Sequence, residues 1–120
     1  MDKKSLPASF EGGRVISPNK AIDAGKLPWS KHPEFEGVYM KHLVTSTDTA
    51  GAFSCHLVWI SPGCTVAEHS HDGQWEFNEI LEGTGAIVLA GKVYSCTPGD
   101  TCINPPTVPH SVSATGGNSS

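Results

Sequence analysis

The chain has 120 residues, of which 38% are hydrophobic and 17% charged, enough for one domain with a modest core. Its net charge is −4 and no basic run exceeds Lys3-Lys4, so nucleic acid and anionic membranes are excluded as expected partners. No apolar run approaches the ~18 residues of a membrane helix, and MDKKSLPASF lacks the apolar segment of a secretory signal, which makes the cytoplasm the expected location.

Residues 1–36 read as an irregular segment with an edge strand at Arg14–Ser17. Asn19 to Gly25, with Pro18 before it, reads as a short helical turn. From residue 37 onward the pattern changes to short strands. Gly37–Thr45 and Ala52–Ile60 are rich in branched and aromatic residues, and Ser61-Pro62-Gly63 breaks the second. Cys64–His71 follows, then a turn over Asp72–Trp75, then Glu76–Leu81, Ala86–Ala90 and Val93–Cys96. Pro98-Gly99-Asp100 opens Thr101–Asn104, Pro105-Pro106 ends it, and Val108–Ser113 resumes. About eight short strands with no long helix between them predict an all-β sandwich or barrel over residues 37–114. Residues 115–120 form a small-polar tail. It follows the last strand at once, where a further strand is expected. Either the chain is truncated, or a strand from the N-terminus or a neighbouring subunit fills the gap.

The chemistry concentrates around His69-Ser70-His71. Residues two apart on a strand face the same side, so both imidazoles can converge on one point. The short turn after them brings Glu76 back beside His71. His110, directed by the proline-rich Pro105–Pro109 stretch, is the candidate fourth ligand. Three imidazoles and a carboxylate suit one divalent transition metal, Fe, Mn, Ni, Cu or Zn, with coordination positions left open. A closed structural zinc site more often uses thiolates. Asn78 shares the strand face of Glu76 and is a candidate substrate-binding group, as is Gln74 in the turn. Glu79 has the opposite parity and is expected outside. Of Lys41 and His42 only one can point inward, and an inward lysine would attract a carboxylate. His42 and His56 read as structural histidines, and Phe53, Trp59, Phe77 and Tyr94 as core or interface residues. The four cysteines, none in a CxxC pair, are expected to be packed as small hydrophobes; a thiol near the metal or a Cys96–Cys102 bridge is the sharper alternative.

The spacing Gly63-x5-His69-x-His71-x4-Glu76-x6-Gly83, followed by Gly99-x5-Pro105-x-Thr107-x2-His110, resembles the two signature motifs of the cupin superfamily, in order. The first fits at every defined position. The second departs at Thr107, where glycine is usual, and at Ala114, where asparagine is usual. The resemblance implies a double-stranded β-helix, or jelly-roll barrel, with the metal held in its mouth by His69, His71, Glu76 and His110. Gly63, Gly83 and Gly99 would lie at turns that need positive φ. It also implies either a metalloenzyme acting on a small oxygen-rich molecule, with dioxygenase-like oxidoreduction favoured, or a non-catalytic binding or sensing module. Cupins commonly dimerise through a sheet edge, so a homodimer is expected, with strand exchange through the first 35 residues.

Overall fold

The structure, a computed structural model, describes residues 5–69 and 73–115, without the side chains of Glu68 and His69. It divides into two compact units: Met1–Lys31 with Tyr39–Trp59, and His32–Val38 with Ile60–Ser120. Among the described residues no helix is long and apolar enough to cross a membrane.

The first unit opens with α1 (Leu6–Glu11), whose N-terminus is capped by the Ser5 hydroxyl accepting from the Ala8 N–H at 3.2 Å. β1 (Arg14–Ser17) and β2 (Lys20–Asp23) then form an antiparallel hairpin. The β1 bounds match the sequence expectation. The helical turn expected over Asn19–Gly25 is instead a strand with a short 3-10 turn after it (Ala24–Lys26). Pro18-Asn19 punctuates a hairpin as readily as a helix start, and the cross-strand partnership of Val15 with Ile22 decides the outcome. The remaining strands, β3 (Ser30–Lys31), β4 (Val38–Val44) and β5 (Cys55–Ile60), form a three-stranded sheet in the order β3-β4-β5.

β4 settles the parity question. Lys41 is 4% exposed and His42 is exposed. The inward lysine does not wait for a carboxylate, however. Its Nζ donates to the carbonyls of Ala24 (2.9 Å) and Glu11 (3.2 Å) and lies 5.7 Å above the Trp29 ring. The Glu11 carbonyl ends α1, where a cation complements the helix dipole, and the Ala24 carbonyl begins the 3-10 turn and also accepts from the Leu27 N–H at 3.1 Å. His42 and His56 stack edge-on, 5.6 Å between ring centres.

The second unit contains β6 (Thr65–His69), β7 (Glu76–Glu79), β8 (Gly85–Leu89), β9 (Lys92–Cys96), β10 (Thr101–Asn104) and β11 (His110–Ala114). Each pairing is antiparallel: β8 with β9, β7 with β10, β6 with β11, and β11 also with β8. The pairs are nested, as in one long hairpin whose tip is β8–β9. That hairpin is wound so that β7–β10 forms one sheet and β6-β11-β8-β9 another. Winding a hairpin into two sheets is the jelly-roll arrangement. Gly63, Gly83 and Gly99 have φ of 79°, 80° and 98°, as their turn positions require. Val38, Ile87, Cys96 and Ala114 supply buried apolar groups.

The cysteines are all free thiols, and only Cys96 is buried, so neither four packed thiols nor a Cys96–Cys102 bridge is observed. Phe53, Trp59, Phe77 and Tyr94 are all exposed rather than core.

Candidate metal centre

Two of the expected ligands meet. The Nε2 of His110, at the start of β11, lies 3.3 Å from Oε2 of Glu76, at the start of β7. The contact joins the two sheets of the second unit. His110 is 2% exposed and its Nδ1 lies 3.2 Å from the Val108 carbonyl. A carbonyl only accepts, so this bond requires Nδ1 to carry the hydrogen, which leaves Nε2 as the ring atom turned toward the carboxylate. The contact is an ion pair when the ring is protonated, and two acceptors turned toward one point when it is neutral.

The loop before His110 is shaped by Pro105 to Pro109. Within it Thr107, at the position where glycine is usual in the resembling motif, has φ of 67°. For a β-branched residue that conformation is an outlier costing about 1–3 kcal/mol. The backbone therefore retains the shape that glycine would adopt freely.

The other ligands lie at the margin of what is described. The β6–β11 register sets the backbone of His69 opposite His110, with an irregularity between His110 and Val112. His71 lies outside the described residues, as do Asp72 of the expected turn and the side chain of His69. Among the described residues no group of three or more His, Cys, Asp or Glu side chains gathers as a metal site.

Around Glu76 the inward face of β7–β10 is polar. The register pairs Glu76 with Asn104 and Asn78 with Cys102, and these four are buried or half-buried. Phe77, Glu79, Thr101 and Ile103 alternate with them and are exposed, Glu79 as its parity required. Asn78 donates from Nδ2 to Glu76 Oε1 at 3.0 Å. Its contact is thus with the carboxylate itself, and it leaves Oε2 as the oxygen turned to His110. Gln74 is exposed in the turn. Cys102 donates its S–H to Asn104 Oδ1 at 3.0 Å. Burial pushes the Cys102 thiol up from its ordinary pKa, reinforced by Cys96 and by Glu76.

Asn104 is the residue that sequence reasoning missed. It is 1% exposed, and its Nδ2 has no hydrogen-bond partner among the described residues. A buried donor left unmatched costs about 1–3 kcal/mol. The only sequence signal was the alternation of Thr101–Asn104, which gives Asn104 the parity of Cys102.

The sequence matches the family model of the cupin domain over residues 56–119, and the chain belongs to that family. A predicted oxalate decarboxylase from Thermotoga maritima is 28% identical, with a TM-score of 0.69 over 77% of this chain and 84% of that one. KdgF from a Halomonas species is 20% identical (TM-score 0.66; 79% and 81% covered). The polyketide cyclase RemF from Streptomyces resistomycificus is 21% identical (TM-score 0.68; 82% and 72% covered). The latter two establish the shared jelly-roll fold. A search of the curated proteins finds no match.

Proposed function

We propose that this cupin is a metal-dependent enzyme acting on a small oxygen-rich molecule, a carboxylate first among them. The observation that carries the reading is the 3.3 Å approach of Glu76 Oε2 to His110 Nε2. Ligand atoms about 2.1 Å from one metal, at right or tetrahedral angles, are about 3.0–3.4 Å apart. Both side chains are braced from behind, Glu76 by Asn78 and His110 by the Val108 carbonyl. Such outer contacts orient ligands at metal centres. His69, opposite His110 in the register, and His71 would complete the set around one divalent ion, Fe, Mn, Ni, Cu or Zn. The metal, when bound, supplies a Lewis acid that polarises a substrate oxygen. The chain's own residues fix the carboxylate and imidazole and line the approach with Asn78, Cys102 and Asn104.

The 28% identical relative named as a predicted oxalate decarboxylase supports a carboxylate substrate. None of the three relatives above is named as a dioxygenase, so oxygen chemistry is one arm of the test. Elemental analysis of the reconstituted chain is expected to find close to one transition-metal ion. The metal-loaded protein is then offered oxalate and other small carboxylates, following CO2 release and oxygen uptake. CO2 without oxygen consumption identifies a decarboxylase, and oxygen uptake an oxygenase. Binding without turnover returns a sensing module, and failure to take up any metal overturns the reading.

We infer also that the chain works as a homodimer through the outer face of β7–β10. Phe77 and Ile103, cross-strand partners there, are 63% and 57% exposed, and Trp75 is exposed beside them. A standard interface covers about 800 Å² per partner, and an exposed aromatic and branched patch is what its centre requires. Light scattering is expected to give a dimer that Phe77→Glu converts to monomer; a wild-type monomer at micromolar concentration overturns the inference.

A further inference from the structure

We propose that Asn104 determines specificity: its carboxamide N–H binds an oxygen of a small carboxylate seated beside Glu76 and His110. The proposal rests on the metal-centre reading for where the ligand sits, but its own evidence is separate. Asn104 lies directly across from Glu76 in the β7–β10 register and shares its inward face. It is 1% exposed, yet its Nδ2 is unmatched among the described residues.

The Cys102 thiol decides which end of the amide is available. Its S–H is directed to Oδ1 at 3.0 Å. Turning the amide over would replace that bond with an N–H facing a weak sulfur acceptor, so the unmatched end is a donor. A donor is satisfied only by an acceptor. No acceptor for it is found among the described residues. A ligand oxygen seated on this face would be that acceptor.

The chemistry of the occupant follows. An ammonium or an alkyl group offers the amide nothing, whereas a carboxylate oxygen forms a charge-assisted bond with it. A cation held by Glu76 and His110 favours the same anion. A site built around a buried donor also rejects analogues that lack the matching acceptor. Asn104 thus recognises the ligand while Asn78 orients the carboxylate.

The test uses the full chain with two calorimetric titrations: metal alone into the metal-free protein, and oxalate into both metal-loaded and metal-free protein. Asn104→Leu is expected to take up metal as the wild type does and to melt no lower, since it removes an unmatched polar group. Its affinity for oxalate is expected to fall ~10–100-fold. Cys102→Ala, which releases Oδ1, is expected to lose several-fold. In isotope-labelled wild type loaded with Zn(II), the Asn104 side-chain NH2 resonances are expected to shift on adding oxalate. That measurement stands even if the leucine variant fails to fold.

Equal oxalate affinity in wild type and Asn104→Leu, or amide resonances that stay fixed while oxalate binds, overturns the proposal. The amide is then matched by a buried water. A wild type that takes up no oxalate at millimolar concentration overturns it too. If the wild type binds no metal, the metal-centre reading fails on its own. The metal-free oxalate titration then still decides Asn104, by a difference between wild type and variant or by none.

Discussion

Each unit of the molecule buries polar side chains, and the two do so on different terms. In the first, the Lys41 ammonium donates to two backbone carbonyls and lies over an indole ring. Its partners all belong to its own unit, and they hold the end of α1 and the start of the 3-10 turn. In the second, Glu76, Asn78, Cys102 and Asn104 line one sheet face opposite a buried histidine, and one amide donor there has no partner among the described residues. Apolar side chains on that face would be better for stability alone. Burial of a polar group is therefore a poor guide to function. What separates a structural pin from a ligand-binding face is whether the fold supplies every partner.

That contrast can be broken in either unit. The largest expected effect is on Lys41. Lys41→Met keeps the length of the side chain but removes two charge-assisted bonds, to the carbonyls of Glu11 and of Ala24 (which still accepts from the Leu27 N–H), at a cost of about 2 kcal/mol. Urea unfolding should register the loss while metal uptake stays at the wild-type level. A variant with normal stability and weakened metal uptake would reverse the assignment. Next comes Asn78→Ala in the second unit. Without its N–H on Oε1, Glu76 can rotate, and metal affinity is expected to fall by about tenfold with little change in the urea midpoint. Were stability lost and metal affinity kept, Asn78 would be a pin of the same kind as Lys41.

A smaller and opposite effect is expected at Thr107. Its φ of 67° is a conformation that glycine adopts without strain. Relief of about 1–3 kcal/mol of strain, less the backbone entropy that glycine loses on folding, leaves Thr107→Gly more stable by about 1 kcal/mol. The melting temperature should rise by a few degrees. An unchanged or lower value would mean that neighbouring groups hold the threonine without strain.

The sequence made some of this legible and concealed the rest for physical reasons. Strand positions follow from alternation and turn residues, which act locally, so β1 and the strands from β4 onward lie close to where they were expected. Glu76 and His110 stand out because the motifs fix their spacing. Asn78 was placed on the correct face by parity alone, although its bond to Glu76 depends on a rotamer. Lys41 and Asn104 are different. The carbonyls that receive Lys41 are 17 and 30 residues away, and the burial of Asn104 depends on a register between β7 and β10. Neither relation leaves a local mark. β2 replaces the expected helical turn because Pro18-Asn19 and Gly25 can bound either element.

The smallest effect concerns thiol reactivity, and it sharpens the comparison of the two units. Cys55 in the first unit is exposed. Burial raises the pKa of Cys96, helped by the charge of Asp100 and opposed by its bond from Ile87; burial, Cys96 and Glu76 raise that of Cys102. The thiolate is the reactive form, so at neutral pH Cys55 is expected to be alkylated first and Cys96 and Cys102 last. Because folding favours the protonated thiols, their contribution to stability is complete below the ordinary thiol value of about 8.5 and is lost as pH rises through the raised ones. Adding oxalate to the metal-loaded protein should slow Cys102 further, since the thiol bonds the same amide, and leave Cys55 unaffected. Mass spectrometry of the alkylated peptides reads this directly. Equal protection of Cys55 and Cys102 by oxalate would point to a general tightening of the chain rather than a ligand seated on the β7–β10 face.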